Sequence, residues 1–403
     1  MNSPENSDLL IQKAVAAARH IVGKNISEKG LAAAAEFYPQ VWTRDSVITF
    51  LGAALSKEEL HLKGFRASLE ILGSRQDKFG QIPYLVRLAD DHPEFRSSDA
   101  NPWFVIGAFH YARQSGDHEW LRAQAPKIVR ALDWCESVDF SKSGLMESGE
   151  CDDWADLLSN RGNVLFPNVL CCYALQLAAQ DLQSFLPEEA ARFAARAVRV
   201  QEAIQDFFWV KAPGSFTDTT HCQTRTLMSI ALRNCPYFLP WVSGFEYGER
   251  FDTTANLLAI LTGVATPDQA DRILDFIHQA GIDKPSPVRV LYPAIQLGEK
   301  DWRDYYKVMR LNYPDQYHNG GIWPWVGGVY VAALVKRGRT EAAREALHAL
   351  ARSLRLGKVE WECNEWLHGQ SGEPMGAQYQ AWSAGMFLYA QHAVETGHVD
   401  GLI

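Results

Sequence analysis

Six short polar-aromatic motifs, each running straight into a strongly apolar stretch, recur along the chain: WTRDS from residue 42, DANPW from 99, NVLFPN from 163, RFDTTAN from 250, HNGGIWPW from 318 and QAWSAG from 380. They lie about 55 to 85 residues apart. After Asp45, the apolar residues Val47, Phe50, Leu51, Ala54 and Leu55 fall at i, i+3, i+4, i+7 and i+8, one face of a helix. Strand-like alternation is scarce. Between the motifs lie more charged, amphipathic segments such as EWLRAQAPKIVRALDWCES, PEEAARFAARAVRVQEAIQDFFW and RTEAAREALHALARSLRL. Helices apolar all round belong inside a fold and amphipathic ones outside.

Five outer helices follow the first five inner ones, which leaves the sixth inner helix, from Trp382 onward, without a partner. The N-terminal helix over residues 8–24 supplies it. The expected fold is therefore all-α: an (α/α)6 toroid of six inner and six outer helices, a single domain over 1–403 with helix 8–24 closing the outer ring. In such a ring the motifs converge on one face, where inner-helix N-termini present free N–H groups and positive dipole ends. An α-solenoid would repeat with a near-constant period and self-similar sequence; the uneven spacing and differing motifs here favour the toroid. No low-complexity or Gly/Ser-rich linker divides the chain.

A formal net charge of −9 with charges of both signs excludes a phosphate-backbone binder built on a basic face. The N-terminus MNSPENSDLL is polar, and apolar runs such as 326–335 fall short of the roughly 20 residues that span a bilayer. Seven cysteines, an odd number without dense spacing, suit a reducing compartment. These features predict a cytoplasmic protein with no nucleic-acid or membrane partner, no metal and no cofactor, and leave homo-oligomerisation open.

The densest carboxylate cluster is SGLMESGECDDWADLLSNRG, with Glu147, Glu150, Asp152, Asp153 and Asp156 in a loop. It lacks the alternate acids, central glycine and terminal Glu of a calcium loop. Asp156 stands among Trp154, Ala155, Leu157 and Leu158, an apolar surround that raises a carboxyl pKa as a general acid requires. A second cluster, EWECNEWLHGQSGEPMG, holds Glu360, Glu362, Glu365 and Glu373 just before the last inner helix. Glycoside hydrolysis needs such a pair, one group to protonate the leaving oxygen and one to activate water or attack.

The other motifs offer binding groups for sugar hydroxyls: Arg44, Asp45, Gln81, Asp99, Asn101, Asp153, Arg250, Asp252, His318 and Asn319. Trp42, Trp103, Trp323 and Trp382 are candidates to stack on sugar rings. Asp45, Asp99 and Asp252 also stand where helix N-caps would. The segment 283–317, with Pro285, Pro287, Pro293 and Pro314 among aromatics, reads as a long ordered loop that covers the pocket or makes a subunit contact.

The segments WTRDSVITFLGAAL, RFDTTANLLAILTGVATPDQ, YHNGGIWPWVGGVYVAALVKRGR and EWLHGQSGEPMGAQYQAWSAG resemble the alkaline and neutral invertase family and its clan of α-glycosidases. That clan includes trehalases, processing α-glucosidases, glucosylglycerate hydrolases and amylo-α-1,6-glucosidase-like proteins. The resemblance runs over nearly the whole chain. It implies an (α/α)6 barrel, an inverting mechanism, Asp156 of WADLL as proton donor and Glu365 of NEWLHG as base. Asp152 and Asp153 remain alternative donors, since Glu147-Ser148-Gly149 precedes them as in related enzymes. Where the invertases continue with consecutive arginines, this chain has Leu157, Leu158, Ser159 and Asn160, which leaves the aglycone open. The expected activity is exo-acting release of a terminal glucosyl unit from sucrose or a related α-glucoside. Alternatives are an α-1,6-glucosidase of debranching type, a sugar epimerase using His110, His318 or His368, and a non-catalytic sugar-binding protein or scaffold.

Overall fold

Each of the six motifs straddles the start of a helix. The computed structural model describes residues 7–399, apart from 212–227, 229, 233, 245 and 286. In chain order its helices are α1 (Ser7–Lys24), α2 (Thr43–Ala53), α3 (Glu59–Ser74), α4 (Ala100–Ser115), α5 (His118–Ser137), α6 (Leu165–Asp181), α7 (Pro187–Phe207), α8 (Thr253–Leu261), α9 (Pro267–Gln279), the short α10 (Tyr305–Met309), α11 (Pro324–Lys336), α12 (Thr340–Arg355) and α13 (Ala381–Thr396). Pro102, Pro167 and Pro324 fall in the first turns of α4, α6 and α11, where a missing N–H costs no intrahelical bond.

The motif-led helices are buried all round. Every residue of α2 and α8 is buried, as are 324–334 of α11. The intervening helices bury one stripe: on α9 it is Gln269, Ala270, Ile273, Leu274 and Ile277, behind a capping box of Thr266 and Gln269. The buried helices pack in sequence, α2 on α4, α4 on α6, α6 on α8, α8 on α11 and α11 on α13, and α13 packs on α2. The amphipathic helices lie against them, with α1 touching α12, α13 and α2.

This packing is unequal around the core. Among the buried helices, contact is most extensive along α11, α13 and α2, where glycines let backbones meet. A β-carbon on Gly52 would collide with the Gly385 carbonyl oxygen, and one on Gly328 with that of Met386.

Loops at the helix N-termini are stitched by short antiparallel pairings, including Val41–Trp42 with Leu85–Arg87 and Trp366–Leu367 with Pro374–Met375. The 283–317 segment is ordered by its own elements, a two-residue strand at Leu291–Tyr292 and α10. It clasps the acidic loop: Asn312 Nδ2 donates to the Leu157 carbonyl at 2.7 Å, Ser159 Oγ to the Asp301 carbonyl at 2.8 Å, and Arg303 Nε to Glu150 at 3.0 Å.

Candidate active site

Asp156 and Glu365, some two hundred residues apart in sequence, line the same small cavity of about 100 Å³. Its walls are Ala33, Tyr38, Trp42, Arg44, Asp45, Trp154, Tyr317, His318, Trp323, Gln380 and Trp382.

Glu365 is placed by its own hairpin. Its N–H donates to the Ala377 carbonyl at 2.9 Å, and the Ala377 N–H returns a bond to Oε2 at 2.8 Å. Asn364 fixes the turn by accepting from the N–H groups of Trp366 and Met375. Gly376, at φ +77°, is required here twice over, because a β-carbon would also lie 2.5 Å from Glu365 Oε2. The Tyr38 hydroxyl donates to Glu365 from the opposite loop. Burial pushes the carboxyl up to about 7, against the Ala377 bond, with Asp45 and Asp156 adding repulsion.

Asp156 keeps 37% of its side chain open. Burial raises its pKa, opposed by Arg44 and Arg96, and the Tyr317 hydroxyl bonds to it. Its Oδ1 lies 3.8 Å from His318 Nδ1. No ion pair forms there, because burial and the Arg44 charge hold His318 well below its ordinary pKa and therefore neutral.

Arg44 and Asp45 begin α2 and face the cavity. Arg44 Nη1 bonds Asp99 Oδ2 at 3.3 Å; burial opposes its charge, but Asp99, Asp45 and Asp156 together hold its pKa up. Burial raises Asp45 to about 6. The aromatic wall is a box: Trp323 stacks on His318 at 5.0 Å, and Trp154 stands edge-on to His318, Trp323 and Trp325. Seven buried polar atoms of the lining residues have no hydrogen-bond partner in the protein: Arg44 Nε, Asp45 Oδ2, Trp154 Nε1, Asp156 Oδ1, His318 Nδ1, Gln380 Nε2 and Trp382 Nε1. Native interiors leave few such atoms unpaired, so this concentration marks where a polar ligand is received.

Of the residues expected from sequence, Trp42, Arg44, Asp45, Asp156, His318, Trp323, Glu365 and Trp382 meet at the cavity. The others lie outside its lining. Asp99 sits behind Arg44 and anchors it, also accepting from Ser97 Oγ. Asn101 clamps the 80–82 turn through Gly80, Ile82 and the Ala131 carbonyl, and Gln81 lies in that turn, its N–H on Asp77. Trp103 is core. Asp252 caps α8 through the Ala255 N–H at 3.1 Å, and Arg250 is engaged by Asp301, Glu299 and the Pro293 carbonyl. Asn319 joins Ile295 to Asn312. Asp45 lies inside the first turn of α2 and caps nothing.

The alternative donors Asp152 and Asp153 lie outside the cavity lining. Asp152 accepts from the Ser97 and Gly149 N–H groups, stapling the acidic loop to the segment that holds Asp99. Asp153 is 4% exposed, accepts from the Ala155 N–H at 2.8 Å, and is driven well above its usual pKa by burial and then by Asp99 and Asp252. Sequence reading missed Tyr38, Tyr317 and Gln380 and used Trp154 only as an apolar flank. Gln380 opens the QAWSAG motif, Tyr317 precedes HNGGIWPW and Trp154 stands in the acidic run; Tyr38, in EFYPQVW, carries no signal of its own.

A helical frame in which two carboxyl groups line one aromatic, hydrogen-bonding cavity is the kind of site a glycoside hydrolase uses. A family model described as amylo-alpha-1,6-glucosidase matches residues 14–240, and one described as alkaline and neutral invertase matches 220–397. Alkaline/neutral invertase CINV1 of Arabidopsis thaliana is 31% identical over 423 residues, covering 91% of this chain and 75% of that protein. Cytosolic invertase 1 of Oryza sativa subsp. japonica is 25% identical, covering 91% and 73%. The chain belongs to the alkaline and neutral invertase family. Among solved structures, the GH63 mannosylglycerate hydrolase of Thermus thermophilus has a similar fold at TM-score 0.69 and 14% identity, over 93% of this chain and 99% of that one. A bacterial glucoamylase complexed with acarbose has TM-score 0.66 at 12% identity, covering 98% of this chain and 57% of that one.

Proposed function

We propose that the chain is an inverting, exo-acting hydrolase on an (α/α)6 toroid, releasing a terminal glucosyl unit from a small α-linked sugar, sucrose or a close relative. The toroid reading is supported by the succession of packed inner helices that returns from α13 to α2. On it, residues 1–403 are one catalytic domain and α1 completes the outer ring.

The observation that carries the activity is the meeting of Asp156 and Glu365 in one cavity where seven buried polar atoms, Asp156 Oδ1 among them, have no hydrogen-bond partner in the protein. Glu365 is the base. It accepts from the Ala377 N–H and the Tyr38 hydroxyl, donors that favour its ionised form. Asp156, more open and with Oδ1 unpaired, protonates the leaving oxygen while Glu365 takes a proton from water on the opposite face. Two carboxyl groups around one cavity titrate as a unit, so one proton persists on the pair towards neutrality. Arg44, Asp45 and Gln380 bind ring hydroxyls, and Trp42, Trp323 and Trp382 stack.

Proton NMR of the purified protein with sucrose, trehalose, isomaltose, maltose and glucosylglycerate tests this. Release of β-glucose first from one of them, abolished in folded Asp156→Asn and Glu365→Gln variants, supports inversion; first release of α-glucose overturns it. The match of residues 14–240 to an amylo-α-1,6-glucosidase model favours one second reading, which isomaltose cleavage without sucrose turnover would select. Of the three histidines an epimerase would use, His318 lines the cavity and the other two do not. His110 is buried and pushed to about 3, while His368 Nδ1 receives the Gln370 and Ser371 N–H groups outside the cavity lining.

A further inference from the structure

Away from this site, α5, α6, α7 and the 139–146 loop enclose a second cavity of about 320 Å³. Its wall holds two neighbouring thiols from different helices, Cys135 of α5 and Cys171 of α6. Both are 1% exposed, so the cavity is their approach. Arg196 of α7, 5% exposed, lines the same space, fixed by an Nη1 bond to the Leu132 carbonyl at 2.6 Å. Lys142 and Arg199 add positive charge. Of the two acids in the wall, Asp139 is occupied by the Ser143 and Gly144 N–H groups and Glu136 lies 3.6 Å from Arg196.

We propose that Cys171 and Cys135 form an oxidation site that takes a hydroperoxide, with Cys171 as the attacking thiolate and Cys135 as the resolving thiol. In the first step the Cys171 sulfur attacks a peroxide oxygen: an S–O bond forms, the O–O bond breaks, and the departing oxygen takes a proton to become water or alcohol. In the second, Cys135 gives up its proton and attacks the Cys171 sulfur: an S–S bond forms, the S–O bond breaks and water leaves. Two thiols lose two electrons and one peroxide gains them. The product ties outer helix α5 to inner helix α6. The same helix α6 carries Asn168, which holds both the N–H and the carbonyl of Met146 at the entrance to the acidic loop.

The order of attack follows from the surroundings. The Cys135 thiol beside it lowers the Cys171 pKa, and Arg196 assists against burial. Burial, followed by the nearness of Cys171, keeps Cys135 well above its ordinary value. The remaining described thiols lack this setting. Cys172 points at the Ala197 carbonyl at 3.7 Å, Cys235 at the Tyr237 carbonyl at 3.5 Å, Cys363 is buried beside Glu362, and Cys151 donates to the Tyr305 hydroxyl at 3.3 Å. All four are raised by burial.

The test treats the native full chain with hydrogen peroxide, blocks residual thiols after unfolding, and maps peptides by mass. The expected result is a Cys135–Cys171 linked peptide lighter by two hydrogens, reversed by dithiothreitol. In Cys135→Ser, dimedone should label Cys171; in Cys171→Ser, Cys135 should stay unlabelled. Free Cys135 and Cys171 after exposure that oxidises Cys151 overturn the proposal, as does dimedone labelling of Cys135 in place of Cys171. None of this depends on the sugar chemistry, so NMR and mass mapping can fail independently.

Discussion

Tyr38 illustrates what single residues contribute to the site and what a sequence conceals. Its hydroxyl favours the ionised form of Glu365, so removing it raises the base pKa. For Tyr38→Phe, the acidic limb of the kcat/KM profile is expected to move to higher pH; an unmoved limb would show that the hydroxyl does not bear on the base. The limbs belong to the coupled pair, yet their position follows from burial. With Glu365 raised to about 7, the active window lies above that of ordinary carboxyl groups. Asp156→Asn and Glu365→Gln should each reduce kcat by roughly 10²–10⁴-fold. The meeting of Asp156 and Glu365 in one cavity was legible because each sits in a dense acidic run, one flanked by apolar residues and the other in a glycine-containing loop. The polar residues Asn101, Asn319 and Asp252 carried the same lettering as binding groups but are spent on turns and a cap. Nothing local distinguishes an amide that clamps a loop from one that holds a sugar, since the difference lies in where its partners' backbones run.

At the scale of elements, the inner helices announced themselves by being apolar all round and by starting at aromatic-polar motifs. The close approach of α2, α11 and α13 was not legible, because Gly52, Gly328 and Gly385 look like ordinary weak helix formers until their neighbours are known. Gly52→Ala is expected to destabilise the fold by about 1–3 kcal/mol in chemical denaturation, through overpacking against the Gly385 carbonyl. Gly23 in α1 is the contrast: a β-carbon there meets nothing within 4 Å. Gly23→Ala is therefore expected to stabilise by about 0.5–1 kcal/mol. A neutral or destabilising result at Gly23 would indicate that α1 packs more tightly than described.

For the whole molecule, the carboxyl groups near the cavity set the response to pH. Burial lifts Asp45 and Asp252 from 3.8 to about 6 and Glu365 from 4.5 to about 7. Between those values these carboxyl groups hold more protons in the folded chain than in the unfolded one and weaken the fold as pH rises through about 4 to 7, whereas His110 and His318, held neutral by burial, strengthen it as pH rises towards their ordinary value of 6.5. Asp252→Asn removes one carboxyl contribution, so between about pH 5.5 and about pH 8 its melting temperature should shift upward relative to that of the parent chain; an unchanged difference between the two chains would contradict this. The unequal glycine packing has a last consequence, for how such a frame acquires new substrates. Glu365 leads into α13, on the arc where backbones touch and little can yield, whereas Asp156 precedes α6 and is secured by loop clasps at Leu157, Ser159 and Glu150. On the roles proposed above, the hydrolytic half of the reaction is thus mounted on bedrock and the leaving-group half on scaffolding. Reshaping residues 149–161 together with 299–317 is where a change of aglycone should come at least cost to the fold.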